Sequence, residues 1–380
     1  MLFTNAWIFR GEEGFQKGSF RVAEGRFWDF HWEEGADACL AEEMVDLGGL
    51  YVIPGLVDIH THGCCGADFS DGDAGGLERM GRYLAAHGIT SFLPTSMTLP
   101  YDRLEAAFRT AEGYMENRPS VAARILGVHM EGPYFSEKKK GAQNAAYLRL
   151  PDAAGFLHLQ EKCNSLVKIV DVAPELPGAE EFIRQVSRIC RVSVAHTDAS
   201  YAEARRAFAA GATHVTHLFN GMPELLHRKP GVVGAAFDTA NVTAELIADG
   251  LHVHPSVVRM AFRLFPGRIC LVSDALRCCG MPDGEYELGG QRVFLANGEA
   301  RLSDGTLAGA VRNLFEDMVQ AIRFGIPPTE AILAATRTPA EAAGAAEEVG
   351  SLEEGKRADF LICDGAWNLK KVYVDGREAI

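Results

Sequence analysis

The sequence predicts an α/β protein: a TIM-type (β/α)8 barrel with a second, small β-sandwich domain built from both chain ends. Between residues 51 and 273, eight short apolar runs alternate with helical stretches. The first fifty residues and the last thirty instead carry short apolar pieces separated by turn residues. A chain of 380 residues that is 47% hydrophobic can bury a core of the size a barrel needs. An open doubly wound sheet is the alternative, and it usually needs fewer strands.

At the N-terminus, Ala6–Phe9, Gly18–Val22 and Gly25–Phe30 read as small antiparallel strands, which assigns 1–52 to the small domain. The aromatics Phe27, Trp28, Phe30 and Trp32 suit that domain's core or a subunit contact. The barrel is expected over 53–350. Its strand-like runs are Tyr51–His60, Ile89–Thr95, Arg124–Met130, Val167–Ala173, Arg191–Ala195, Thr213–Leu218, Val242–Ile247 and Arg268–Ser273. Gly76–Ala86 and Tyr201–Ala210 have helical spacing, and the Ala-rich stretch Ala331–Ala346 reads as helix packing. Ala358–Cys363 and Leu369–Arg377 return to short strands, so 351–380 completes the small domain.

Barrel enzymes gather their reactive groups at the C-terminal ends of the strands. Here those ends carry His60 and His62, Glu131, His196, His217 and Asp274. In Asp58-Ile-His60-Thr-His62, strand alternation points both imidazoles the same way, which makes a half-site for a divalent metal. A lone His-x-His pair is as often a satisfied polar strand end. Several ligand-type residues in register with strand ends raise the metal reading well above that.

Bulk properties exclude other classes. A net charge of -14 argues against nucleic acid as a partner. No apolar run reaches the roughly 20 residues that span a bilayer, and Met1–Ile8, with no basic residue and no cleavage-type tail, does not read as a signal peptide. Nine cysteines, with pairs at Cys64-Cys65 and Cys278-Cys279 and no Cys-x-x-Cys, read as reduced thiols of a cytoplasmic protein. There is no P-loop and no Gly-x-Gly-x-x-Gly after a strand.

Several motifs together resemble the amidohydrolase superfamily: Asp58-x-His-x-His-Gly63, Val128-His-Met-Glu-Gly-Pro-Tyr134, Val194-Ala-His-Thr-Asp198, Thr216-His-Leu-Phe-Asn-Gly-Met222, Ala248-Asp-Gly-Leu-His252 and Val272-Ser-Asp-Ala275. Within it the chain is similar to deacetylases of phosphorylated N-acetyl amino sugars, over almost its whole length. Glu131 stands where many relatives carry a carboxylated lysine. The resemblance implies hydrolysis of N-acetyl-D-glucosamine 6-phosphate to glucosamine 6-phosphate and acetate, in a homodimer whose pocket can be completed across subunits.

It also implies roles. Glu131, His196 and His217 form the set of a catalytic metal site, with a position left open for water. The ion is a divalent metal, zinc first, although such donors also accept iron, cobalt or manganese. His60 and His62 hold a second ion, with Glu131 bridging, or none; one or two ions per subunit stay open. Asp274 is the general base and then the acid. Asn220, Gly221 and Arg228 face the phosphate, His252 a sugar hydroxyl, and Leu307, Ala308 and Gly309 the acetyl group. Ala142 and Gln143 lie in Lys140-Gly-Ala-Gln-Asn144, and Gln143 stands where better-known deacetylases place a histidine that polarises the carbonyl; Gln143 can donate a hydrogen bond but carries no charge.

Other residues draw plainer readings. His87, His129, His158 and His214 read as packing, with His214 facing away from His217 on a regular strand. His254 reads as surface or support, Asp58 as support for a ligand, and Asp198 as a loop or cap residue. Glu137–Lys140 reads as a solvated loop. Two rivals share these residues: another amidohydrolase acting on a different amide or N-acyl sugar phosphate, and a non-catalytic sugar-phosphate-binding relative. Intact Asp274 and ligand residues argue against the second.

Overall fold

Eight parallel strands form the central barrel: Leu56–Thr61, Ile89–Ser96, Val128–Tyr134, Val167–Val172, Arg191–Val194, His214–Val215, Thr243–Leu246 and Ile269–Leu271. Each pairs with the next in chain order. A parallel bridge between Thr61 and Ala275 brings the last strand back to the first. The computed structural model describes residues 1–32 and 43–379, so 33–42 of the N-terminal expectation and Cys39 lie outside the described residues.

Helices follow most strands. Ala74–Ala86 starts on Asp73, whose carboxylate accepts the Gly75 and Gly76 N–H groups. Tyr201–Ala210 starts on a capping box between Ser200 and Glu203. Tyr201–Ala210 has the bounds read from sequence. Most other helices bury one apolar face against the strands, such as Phe182, Ile183 and Val186 of Ala179–Val186.

Both chain ends share one eight-stranded sheet. Its main path runs Arg377–Glu378, Leu369–Val374, Phe360–Cys363, Tyr51–Pro54, Leu2–Phe9, Phe15–Ala23 and Arg26–Trp32, with Met44–Asp46 beside Leu2–Phe9. Its core is aromatic: Phe20 packs on Phe3, Phe27, Phe30 and Phe360 with ring centroids 5.0–5.8 Å apart. Phe27 is fully buried while Trp28 is 63% exposed, as alternation on a strand requires.

Two features depart from the sequence reading. The single run Tyr51–His60 is two strands, one in the terminal sheet and one in the barrel. The chain passes between them at Gly55, where a Cβ would lie 2.1 Å from Thr90 Oγ1. After the eighth barrel strand comes an antiparallel meander, Gly284–Leu288, Gln291–Ala296, Glu299–Leu302 and Leu307–Gly309, which was not anticipated. Among the described residues no helix is long and apolar enough to cross a membrane.

Candidate metal centre and active site

Three of the strand-end residues leave the strand in a left-handed backbone conformation: His196 at φ 41°, His217 at φ 30° and Asp274 at φ 49°. Such backbone costs a non-glycine residue of order 1–3 kcal/mol, so its neighbours must hold it. Ser136 N–H donates to the His196 carbonyl and Asp274 N–H donates to the His60 carbonyl, each at 2.9 Å. His217 N–H donates to Glu245 Oε2 at 3.1 Å.

Four imidazoles then converge in one orientation. His60 Nδ1 meets Glu245 Oε2 at 2.8 Å, His62 Nδ1 the Thr95 carbonyl at 3.1 Å, His196 Nδ1 the Lys139 carbonyl at 2.8 Å, and His217 Nδ1 the Asn220 carbonyl at 3.1 Å. Each partner is an acceptor, so each Nδ1 carries the proton and each Nε2 is left bare. Those Nε2 atoms face carboxylates. His196 and His217 each approach Glu131 Oε1 at 3.1 Å. His62 lies 3.3 Å from Glu131 Oε2 and 3.3 Å from Asp274 Oδ1. His60 Nε2 is buried without a hydrogen-bond partner, 3.6 Å from Glu131 Oε1 and 3.5 Å from Asp274 Oδ1.

This donor set fits a divalent ion. His196 Nε2 and His217 Nε2 lie 3.1 Å apart, and two bare ring nitrogens cannot bond each other. A tetrahedral ion with bonds of about 2.0–2.1 Å spaces its ligands by about 3.4 Å, close to the separations seen. Two groups at the mouth bring one donor atom from each residue within 4.8 Å of the others: Glu131, His196 and His217, and His60, His62 and Asp274. A third, His60, His129 and Glu245, lies deeper in the barrel.

Electrostatics agree with the geometry. Burial opposes charge on Glu131, yet the neighbouring imidazoles of His196, His217, His62 and His60 hold its carboxyl well below the ordinary range. Asp274 is likewise lowered, with burial outweighed by His60 and His62. Asp58 behaves differently: burial pushes it up to about 6, although Ser273 Oγ donates to it at 2.6 Å. Asp58 therefore braces the residue next to Asp274.

The cluster floors a cavity of about 270 Å³. Its walls carry Ala142, Gln143, Asn220, Gly221, His252, Leu307, Ala308 and Gly309. Gly221 has φ +62°, and a Cβ there would press to 3.1 Å of His196 Nδ1, so the wall needs glycine. Gln143 is locked: its Oε1 accepts the Thr98 N–H at 2.8 Å and its Nε2 donates to Glu131 Oε2 at 2.5 Å. Asp249 accepts from His252 Nδ1 at 2.7 Å, leaving His252 Nε2 available to the cavity. The meander brings Leu307–Gly309 to this wall.

One sequence candidate stands apart. Arg228 is exposed, bonds His227 Nε2 at 2.7 Å and does not line the cavity. His254 caps the helix Pro255–Leu264 rather than joining the cluster. Asp198 pairs with exposed Lys138 at 2.9 Å. His214 corrects the expectation that it faces away: it is buried inside the barrel, 3.2 Å from Glu245 Oε1. His129 is also polar-bonded, at 2.9 Å from Asp171 Oδ1. Sequence reasoning missed Glu245 and Asp171. The available signal was a carboxylate inside each of the apolar runs Val242–Ile247 and Val167–Ala173.

The chain belongs to the amidohydrolase family, whose model matches residues 51–379. Within that family its likeness is to the N-acetylglucosamine-6-phosphate deacetylases. It is 37% identical to the enzyme of that name from Vibrio furnissii over 90% of this chain and 86% of the relative. It is 36% identical to N-acetylgalactosamine-6-phosphate deacetylase of Escherichia coli O157:H7 over 86% of this chain and 87% of the relative. A variant of the Mycobacterium smegmatis N-acetyl-D-glucosamine-6-phosphate deacetylase, in complex with N-acetyl-D-glucosamine-6-phosphate, superposes with a TM-score of 0.92 at 29% identity, covering 100% of this chain and 99% of that one.

Proposed function

We propose that the protein hydrolyses the acetamide of N-acetyl-D-glucosamine 6-phosphate, giving glucosamine 6-phosphate and acetate. The observation that carries this is the wall and floor of one cavity: bare imidazole nitrogens with Glu131 and Asp274 below, and Gln143, His252 and Leu307–Gly309 around. Glu131, His196 and His217 would hold one divalent ion, zinc by preference, and His60 and His62 a second with Glu131 between them. When bound, such an ion polarises a carbonyl and lowers the pKa of water.

The chain's own groups do the rest. Asp274 Oδ1 takes the proton of the attacking water as the new C–O bond forms at the acetyl carbon. It then returns that proton to the departing nitrogen as the C–N bond breaks, because an unprotonated amine is a poor leaving group. Oxyanion stabilisation falls to His252 or to the second amide N–H of Gln143, the first being committed to Glu131. His252 Nε2, turned by Asp249, meets a sugar hydroxyl. Asn220 and Gly221 offer the phosphate backbone N–H groups. The proposed homodimer gives Arg228 its role: a guanidinium outside its own cavity serves a phosphate held in the partner's. The proposed compartment is the cytoplasm, consistent with eight described cysteines all free.

The resemblance to an N-acetylgalactosamine-6-phosphate deacetylase supports one second reading, in which the other epimer is preferred. Acetate release decides among these, measured over phosphorylated and unphosphorylated N-acetyl sugars with metal-stripped and reconstituted protein. The expected result is turnover that needs both the metal and the 6-phosphate, fastest on the glucosamine compound. Equal turnover of the unphosphorylated sugar, or none on any of them, overturns the proposal.

A further inference from the structure

Beneath the mouth of the barrel lies a carboxylate that the reaction itself does not use. Glu245, on the seventh barrel strand, is fully buried. Its Oε2 accepts from His60 Nδ1 at 2.8 Å and from the His217 backbone N–H at 3.1 Å. Its Oε1 meets His214 Nε2 at 3.2 Å. His60 belongs to one of the two donor groups at the mouth and His217 to the other.

We propose that Glu245 is a positioning residue that sets both donor groups at once, fixing the His60 ring by its side chain and the His217 ring by its backbone. The inference rests on the metal reading given above. A neutral imidazole offers its bare nitrogen outward only if the other nitrogen keeps its proton, and a carboxylate is a strong acceptor for that proton. Among the described residues nothing else bonds His60 Nδ1, while His60 Nε2 points at Glu131 and Asp274. His217 sits at φ 30°, and the accepted N–H helps hold that strained turn.

The carboxylate is itself held. His214 Nδ1 is bonded to Thr243 Oγ1 at 2.6 Å, which turns His214 Nε2 toward Glu245. His129, 3.7 Å from Glu245 Oε1, is fixed by Asp171, and Thr216 and Ser193 continue the chain of contacts at 2.7–2.9 Å. Six barrel strands thus meet in one polar layer directly below the donors. A loss of charge at Glu245 reaches both groups without touching substrate, since Glu245 does not line the cavity.

The test is Glu245→Gln in the full chain, with zinc content after dialysis and zinc affinity by competition with a chelator as the readouts. The expected result is an affinity at least about 10-fold weaker, in the 10–100-fold range typical of such outer contacts. Turnover should fall while KM changes little, and Glu245→Asp should recover part of the affinity. Nitrogen-labelled histidine in the zinc-loaded wild type gives a reading that does not depend on a variant folding: His60 should carry its proton on Nδ1. Native zinc affinity and native turnover in Glu245→Gln, or a His60 protonated on Nε2, overturns the inference alone. Wild-type protein that binds no divalent ion overturns the metal reading, and the inference with it.

Discussion

The barrel mouth and the terminal sheet bury opposite kinds of side chain. The sheet packs Phe3, Phe20, Phe27 and Phe360 into an aromatic core, with Tyr373 stacked on Phe360 at 4.5 Å. Its strands follow ordinary pairing and alternation, and every buried ring contributes area. The mouth instead buries Glu131, Asp274, Glu245 and four imidazoles, and holds three of its residues in left-handed backbone. Charge burial and strained backbone both oppose folding. The sheet's residues stabilise the chain, while the mouth's residues keep a polar donor cluster together at a cost that the surrounding packing must offset.

Substitutions in the two regions should therefore separate activity from stability. The largest effect is expected for Asp274→Asn. It keeps shape and removes the proposed proton carrier, so turnover should fall by about 10²–10⁴-fold, or roughly 3–5 kcal/mol of barrier. Unfolding in denaturant should stay near native, and metal should remain bound. Near-native acetate release from this variant would show that Asp274 is not the acid–base group. In the sheet the pattern should invert. Phe20→Ala leaves a cavity amid four aromatic neighbours and should cost about 3–5 kcal/mol of stability. The KM of the folded protein should not move, because Phe20 is remote from the cavity lining. A change in KM larger than the change in stability would show the two regions to be coupled.

The same contrast explains what was legible in the sequence. Strands and helices followed periodicity, so the barrel runs and Tyr201–Ala210 could be read from apolar spacing alone. His60, His62, Glu131, His196, His217 and Asp274 were found because ligand-type residues stood at the ends of those runs, and the structure brings all six together. His214 was misplaced because its strand is only two residues long and His217 lies beyond it in left-handed backbone, which breaks the alternation. Glu245 and Asp171 were passed over because an apolar run with one carboxylate still reads as a strand. Nothing local in such a run shows that six strands supply polar partners. The meander at 284–309 was missed for a similar reason: the barrel pattern had already absorbed its residues.

A smaller effect is expected where the two regions meet. Asp375, on the last turn of the sheet, accepts from Arg124 Nη2 at 2.6 Å and from Arg357 Nη1 at 3.1 Å, and also pairs with Arg118. Arg124 Nη1 reaches Asp359 Oδ2 at 2.8 Å. Arg118 and Arg124 belong to the barrel side, so two aspartates and these arginines pin the sheet to it. Burial works against charge on Asp375, but Arg124, Arg118 and Arg357 outweigh it and hold the carboxyl below its ordinary value. A carboxyl depressed in the folded state adds stability above its unfolded pKa of about 3.9, and that stability is lost as pH falls through the lower folded value. Asp375→Asn should thus cost about 1–3 kcal/mol near neutrality, the range of a charged hydrogen bond left unmade. The gap between wild type and variant should narrow as pH drops below about 4, since the wild type then loses the same charge. Thermal unfolding of both proteins across that range reads the effect. Parallel curves would show that the junction is held by its apolar contacts and not by the Arg124–Asp375 pair.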